Sequence, residues 1–489
     1  MPGGHLLAER ITDLRARARN ILRNRVTRNF ISGTTLQILS QGLSLVMVIY
    51  LARILGPANF GLFNMTLAIM TYFVLAITFG LPTIGIREVA RKNDSAMQIW
   101  WEVGALRTGL AVLAYVLLLI IAIFIPALRN MRSLLILYGT NLFLIALMPD
   151  WTFIGLERMA WPAFASLTGS ALTLGLLFAF VRSADNLFAA IACIIAGSGL
   201  VVVILVAKLR GLSEGSPQLR VPSQRLRELM RQASPFIFAS LSSQIYGNAD
   251  LLLVGFISGK AAAGIYAAAY KIINLLAIFI GLISQATYPA MARLFSSDPE
   301  KSKAFASAMT GAMLAVFLPI ALGGTLISAQ LMRFFYGAKY AATAKPLAIL
   351  LWYVVFSALS ISFSNALLAN NEDRPYIIAI TGGALIDVAL IAFMVPKWGV
   401  TGAAVAMVIA EFFILLYLAV QARRKMKIKF IQVRTLLPIL IATLAMTAAV
   451  WALREHLMVL VVMVCAALVY VIVLGICFFF MYCKPGQEA

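Results

Sequence analysis

The sequence predicts an all-α, polytopic integral membrane protein with about fourteen transmembrane helices. Three observations carry that expectation. Hydrophobic residues make up 62% of the chain and charged residues only 12%, with a mean hydropathy of +0.94; soluble domains run at roughly half apolar and a quarter charged. Apolar runs of about 18 residues or more, the length that crosses a bilayer, recur throughout. Well over half of the 40 Lys and Arg residues fall in alternate connections, the bias that marks cytoplasmic loops. That bias also accounts for a formal net charge of +21 without any nucleic-acid partner.

Residues 1–29 come first, with Arg10, Arg15, Arg17, Arg19, Arg23, Arg25 and Arg28 among Leu7, Ile11, Leu14, Ala18, Ile21 and Leu22. The helical spacing of the apolar set describes either an amphipathic helix on an anionic membrane face or a basic tail that fixes orientation. Both put the N-terminus in the cytoplasm. The run that follows is too long for a signal peptide.

Spans are then expected around Gln41, Met70, Leu113, Leu142, Leu172 and Ile195, forming a first six-helix bundle over 30–207. A cytoplasmic linker, 208–233, sets Arg225, Arg227 and Arg231 beside Leu226, Leu229 and Met230, which reads as a second surface-lying helix. The second bundle, 234–421, has centres near Gln244, Leu276, Leu314, Phe356, Leu385 and Met407. A basic linker, 422–434, leads to a C-terminal helix pair and tail, 435–489, centred on Ile441 and Leu468. An even number of spans leaves both termini cytoplasmic in a multi-pass cell-membrane protein.

Much soluble chemistry is excluded. The cysteines, Cys193, Cys465, Cys477 and Cys483, show no metal-ligand spacing. Two histidines, His5 and His456, leave little for imidazole catalysis. No phosphate-cradling Gly-x-x-x-x-Gly-Lys-Ser/Thr loop is present. No cofactor, metal or catalytic residue is expected.

The two bundles repeat. Leu55-Gly56-Pro57-Ala58-Asn59-Phe60-Gly61-Leu62-Phe63 has a counterpart in Ser258-Gly259-Lys260-Ala261-Ala262-Ala263-Gly264-Ile265-Tyr266, and both glycine pairs are separated by the same interval. Six spans lie between the copies, so the repeat is parallel, an arrangement suited to alternating access. The second copy is flanked by charge. Asp250 precedes its turn and Lys271 follows it, roughly 13 and 10 Å along their helices. Ionisable groups at such depth are costly and point to function.

Leu51-Ala52-Arg53-Ile54-Leu55-Gly56-Pro57-Ala58-Asn59-Phe60-Gly61 resembles the first-hairpin signature of polysaccharide flippases. These belong to the multidrug/oligosaccharidyl-lipid/polysaccharide (MOP) exporter superfamily. Three further stretches are similar to later blocks of the same family. They are Gly264-Ile265-Tyr266 with Ala269-Tyr270-Lys271, Phe335-Tyr336-Gly337-Ala338-Lys339-Tyr340, and Trp398-Gly399-Val400-Thr401-Gly402-Ala403-Ala404. The resemblance implies export of a lipid-linked oligosaccharide, carried on undecaprenyl diphosphate, from the inner to the outer leaflet. Polysaccharide polymerase machinery would then be a downstream partner.

Such a headgroup is anionic and hydrated, so its path needs a polar, preferably cationic, lining. Arg53, Arg107 and Lys271 are the bases placed for it. Each has a structural alternative: Arg53 caps its helix, Arg107 pairs with Glu102 or snorkels, and Lys271 pairs with Asp250. In related lipid II flippases a sodium site lies among the seventh, eleventh and twelfth helices. Asp250, Asp387 and Glu411 fall on those spans here, so the resemblance makes them candidates for Na+ or H+ coupling. Sugar selectivity is expected from polar side chains such as Gln41, Asn64, Thr71, Asn141, Gln244, Asn248, Asn274 and Gln285. The alternatives are a cation-coupled multidrug or metabolite antiporter of the same superfamily and a membrane-embedded glycan polymerase or glycosyltransferase. An enzyme of that kind needs acids or bases converging at a membrane face, and no sizeable loop presents them.

Overall fold

The computed structural model describes residues 25–212, 217–218, 220–235, 249–427 and 433–482, and all regular elements among them are helices. The N-terminal basic segment up to residue 24 lies outside the described residues, as do Gln244, Asn248 and Cys483. Contacts divide the chain into two units, Met1–Leu55 with Thr66–Gln244, and Gly56–Met65 with Ile245–Ala489.

Eleven helices among the described residues are long and apolar enough to cross a membrane. Two of them are doubled. Helix α1, Arg25–Thr78, and a second helix of the same 54-residue length, Asp373–Met426, would each run about 81 Å unbroken, against a hydrocarbon core of about 30 Å. Glycines divide them: Gly56 at φ 68°, ψ 173° and Gly399 at φ 54°, ψ −137°. A Cβ would collide with the neighbouring carbonyl in that region of backbone space, and glycine has none. Ala249–Ser258 adds a short apolar helix after the undescribed stretch. The expected all-α, polytopic architecture is therefore the one observed.

In the first unit, α1 is followed by α2 (Leu81–Arg91), α3 (Ala96–Phe124), α4 (Arg132–Gly139), α5 (Asn141–Leu147), α6 (Asp150–Gly155), α7 (Ala160–Phe180), α8 (Leu187–Arg210) and α9 (Ser223–Ala233). Pro82 and Pro149 stand at the starts of α2 and α6, where a missing N–H is harmless. The fourth span is thus a relay of short helices. The first unit's core is built from Val89, Trp100, Val103, Trp151, Phe153, Leu205 and Leu209.

Linker helix α9 packs one edge onto the first unit. Its Leu229 and Ala233 are fully buried in that same protein core, with Leu226 packed alongside. Met230 of the same helix stays 44% exposed. Arg225 pins the helix there, bonding Glu88, and Glu102 at 2.9 Å, with Glu228 at 3.6 Å. Burial works against the Arg225 charge, but the carboxylates of Glu88 and Glu102 outweigh it and hold the guanidinium above its ordinary value. Arg225→Ala should cost about 2 kcal/mol, because two partly buried carboxylates lose their donor. The expected readout is a lower melting temperature in detergent and faster proteolysis of the linker. Unchanged protection would show that the apolar face alone holds α9.

The second unit contains α10 (Ala249–Ser258), α11 (Lys260–Ser297), α12 (Pro299–Tyr336), α13 (Ala344–Ala369), α14 (Asp373–Met426), α15 (Val433–Leu453) and α16 (Val459–Tyr482). The C-terminal pair packs on α12 through Ile327, Leu331, Met446, Val450 and Val462, and the Tyr470 hydroxyl donates to Ala315 O at 2.6 Å. Asp298 caps α12, accepting from the Lys301 N–H at 3.1 Å.

Segment Gly56–Met65 packs within this second unit although both its flanks belong to the first. The reason is close packing between the two repeated turns. Gly259 repeats the Gly56 conformation, φ 89° and ψ 170°. A Cβ on Gly61 would stand 1.8 Å from Lys260 O, and one on Gly264 would stand 1.9 Å from Pro57 O. Backbone lies on backbone, glycine against glycine. Phe60 meets Tyr340 edge-on at 6.2 Å, and both are fully buried.

Candidate functional site

The second unit assembles its buried acids from α10 and the two halves of α14. Asp387 precedes and Glu411 follows Gly399 by equal intervals on the two halves of α14, about 18 Å from the break. The hairpin that sets this register is tight, since a Cβ on Gly402 would lie 2.6 Å from Met394 O. Asp250 opens α10. The three are 5%, 2% and 4% exposed for Asp250, Asp387 and Glu411.

Asp250 and Asp387 come within hydrogen-bonding reach of each other, with Glu411 in the field of Asp387. Tyr266 Oη donates to Asp250 Oδ2 at 2.8 Å and lies 3.6 Å from Met407 Sδ. The Oδ1 atoms of Asp250 and Asp387 are buried without a donor. Two carboxylates are acceptors only, so neither supplies the other's missing proton. Among the described residues no three His, Cys, Asp or Glu side chains converge on one metal point.

Lys271 is half-buried on α11, and the described ion pairs do not include it. The alternative in which it pairs with Asp250 is not realised, because Asp250 is engaged by Tyr266 and Asp387. Tyr270, stacked on Tyr266 at 5.9 Å, precedes it.

The remaining bases belong to the first unit. Arg107 is 3% exposed and donates to Ile145 O at 2.6 Å and Met148 O at 3.3 Å. It thus caps the end of α5, joining the Met148 N–H, which also donates to Ile145 O at 3.2 Å. Glu102, its other expected partner, bonds Arg225 and accepts from Gln98 at 3.0 Å. Arg53 is exposed on α1, one turn before Gly56. Of the candidate sugar contacts, Gln41, Asn274 and Gln285 are exposed, while Asn64 and Asn141 are buried. Asn64 donates to Phe60 O at 2.8 Å inside its own helix.

Sequence reasoning missed Tyr266 as the partner of Asp250 and Arg225 as the anchor of α9. Both carried a signal. Tyr266 and Tyr270 are spaced one turn apart on one helix face, and Arg225 stands one turn before buried Leu229.

These features define a class: a polytopic, all-α membrane protein. A lipid II flippase MurJ in an inward closed conformation superposes with a TM-score of 0.74 at 18% identity, covering 93% of this chain and 98% of that one. An inward-facing multidrug resistance MATE family transporter of the MOP superfamily gives 0.65 at 15% identity, over 81% and 98%. The family model described as "Polysaccharide biosynthesis protein" matches residues 26–295, more than half of the chain, and the chain belongs to that family. The resemblance read from the four sequence stretches is borne out. A protein of Escherichia coli (strain K12) named "Putative O-antigen transporter" is 27% identical over 244 residues, 49% of this chain. The match spans 58% of that relative's own length.

Proposed function

We propose that this protein is a flippase. It carries a lipid-linked oligosaccharide, held on undecaprenyl diphosphate, from the cytoplasmic to the outer leaflet of the cell membrane by alternating access. The observation that carries the reading is Lys271, a base within a membrane helix that has no described carboxylate partner. A phosphate-bearing headgroup supplies the missing charge, while the lipid tail stays in hydrocarbon. Arg53 and Arg107 are proposed as further contacts; Arg107 would first have to release two carbonyls. Both termini face the cytoplasm in this reading, where the basic rim meets anionic lipids. Polysaccharide polymerase machinery takes over the product.

The Asp250–Asp387 pair, with Glu411 nearby, is proposed as the coupling site. Two buried acceptor groups can share one space when a proton or a Na+ ion lies between them. The test is leaflet-resolved labelling of a lipid-linked oligosaccharide in vesicles with and without the protein. Protein-dependent appearance of label in the opposite leaflet is expected. Equal rates in empty vesicles would end the flippase reading. Asp387→Asn should flip with its dependence on Na+ or pH reduced about tenfold; an unchanged gradient response would remove the coupling role.

A further inference from the structure

The geometry points to Tyr266 as a positioning residue that ties the acid pair to the glycine interlock at the start of α11. This rests on the coupling site proposed above. Three features of one rigid helix carry it. Gly264, two residues before Tyr266, lies against Pro57 O and Gly61 N with no room for a side chain. The Tyr266 side chain is 1% exposed, and its hydroxyl reaches Asp250 at 2.8 Å. Tyr270 stacks on it with rings 10° apart, next to Lys271. The first turns of α11 therefore carry the interlock, the link to the acids and Lys271 in succession.

A bond from a hydroxyl to a bare carboxylate is charge-assisted and about twice as strong as one to a neutral group. With the acid pair empty, Tyr266 holds the start of α11 firmly, and Gly264 stays seated on the Gly56–Gly61 turn. With a proton or Na+ on the pair, Asp250 Oδ2 is a weaker acceptor. The hold on α11 then relaxes, and the interlock is freed to part. The charged and titratable groups around this link are Asp250 from α10, Asp387 from α14 and Tyr270 from α11, with Glu411 of α14 and Tyr353 of α13 beyond them. No described Lys or Arg forms an ion pair with the acids of the pair.

Tyr266→Phe removes only the hydroxyl. In a background with the four native cysteines replaced, Ala263→Cys reports on the interlock, because Ala263 is fully buried there. The probes are Na+ and pH, each titrated against alkylation of that cysteine and against flipping in vesicles. With Tyr266 present, loading the pair is expected to raise the alkylation rate about tenfold, the worth of one charge-assisted bond. With phenylalanine the alkylation rate should stay high and flat, and flipping should lose its ion dependence. Tyr266→Phe protein that keeps the native Na+ and pH profiles in both readouts would overturn the inference. Asp250→Asn gives a second approach should the phenylalanine variant not fold: its alkylation should be fixed at the loaded value, and an ion response that survives would equally overturn it. If the wild type flips nothing yet its alkylation responds to ions, the proposed substrate fails while this link stands.

Discussion

Lys271→Ala is expected to reduce transfer of a diphosphate-linked oligosaccharide by ten- to a hundredfold while leaving the protein as stable as before or more so. The two directions have one cause. A half-buried ammonium without a described carboxylate partner loses hydration on folding and recovers little of it from the protein, so its removal relieves a cost. A phosphate that depends on that ammonium loses a charge-assisted bond of about 1.5–3 kcal/mol. Lys271→Arg should restore much of the activity, since it keeps the charge and adds a fork suited to phosphate. Lys271→Gln should not. The measurements are melting temperature in detergent and leaflet-resolved flipping on the same preparations. A variant that is destabilised and inactive in equal measure would recast Lys271 as structural, and full activity in a stably folded alanine variant would end its proposed role.

The glycine interlock should be the least tolerant place in the chain. Gly61→Ala puts a carbon 1.8 Å from Lys260 O and 2.8 Å from Gly264 N, and Gly264→Ala puts one 1.9 Å from Pro57 O. The obstacles are backbone atoms, which no rotamer change moves aside. Overpacking costs about 1–3 kcal/mol where side chains can yield, and more where they cannot, so each variant should lose about 3 kcal/mol. Gly56→Ala is the control. Nothing lies within 4 Å of its Cβ, and only the strain of the φ 68°, ψ 173° backbone remains, about 1–3 kcal/mol. Thermal melting should rank Gly61→Ala and Gly264→Ala below Gly56→Ala. The double variant Gly61→Ala/Gly264→Ala should cost less than the two singles together, because either methyl alone already parts the turns. Equal melting temperatures across the set would mean that the turns are not held together in the folded protein.

Membrane class and the repeated glycine turns were readable in the chain, because each depends on local composition. A span needs a run of apolar residues, and a break in it needs a residue free to take positive φ. For that reason the four stretches that carried the family resemblance sit at or beside Gly56, Gly259, Gly337 and Gly399, all with positive φ. The same local logic placed Asp250, Asp387 and Glu411 at depth.

Pairing was another matter, since it depends on which helices become neighbours. The expected Asp250–Lys271 contact joined two residues that are close in sequence and at matching depth, yet Asp250 turns to Tyr266 and Asp387. Arg107 looked like a base facing a polar path and instead bonds the carbonyls of a broken helix. The linker's apolar stripe was legible, and only the folded protein shows that Leu229 and Ala233 of that stripe join the first unit's core. A sequence states how much charge or apolar surface must be satisfied, because that cost is a property of each side chain. Which group satisfies it was decided by tertiary packing, where hydrogen bonds reach only about 3 Å and the competing partners come from residues far apart in the chain.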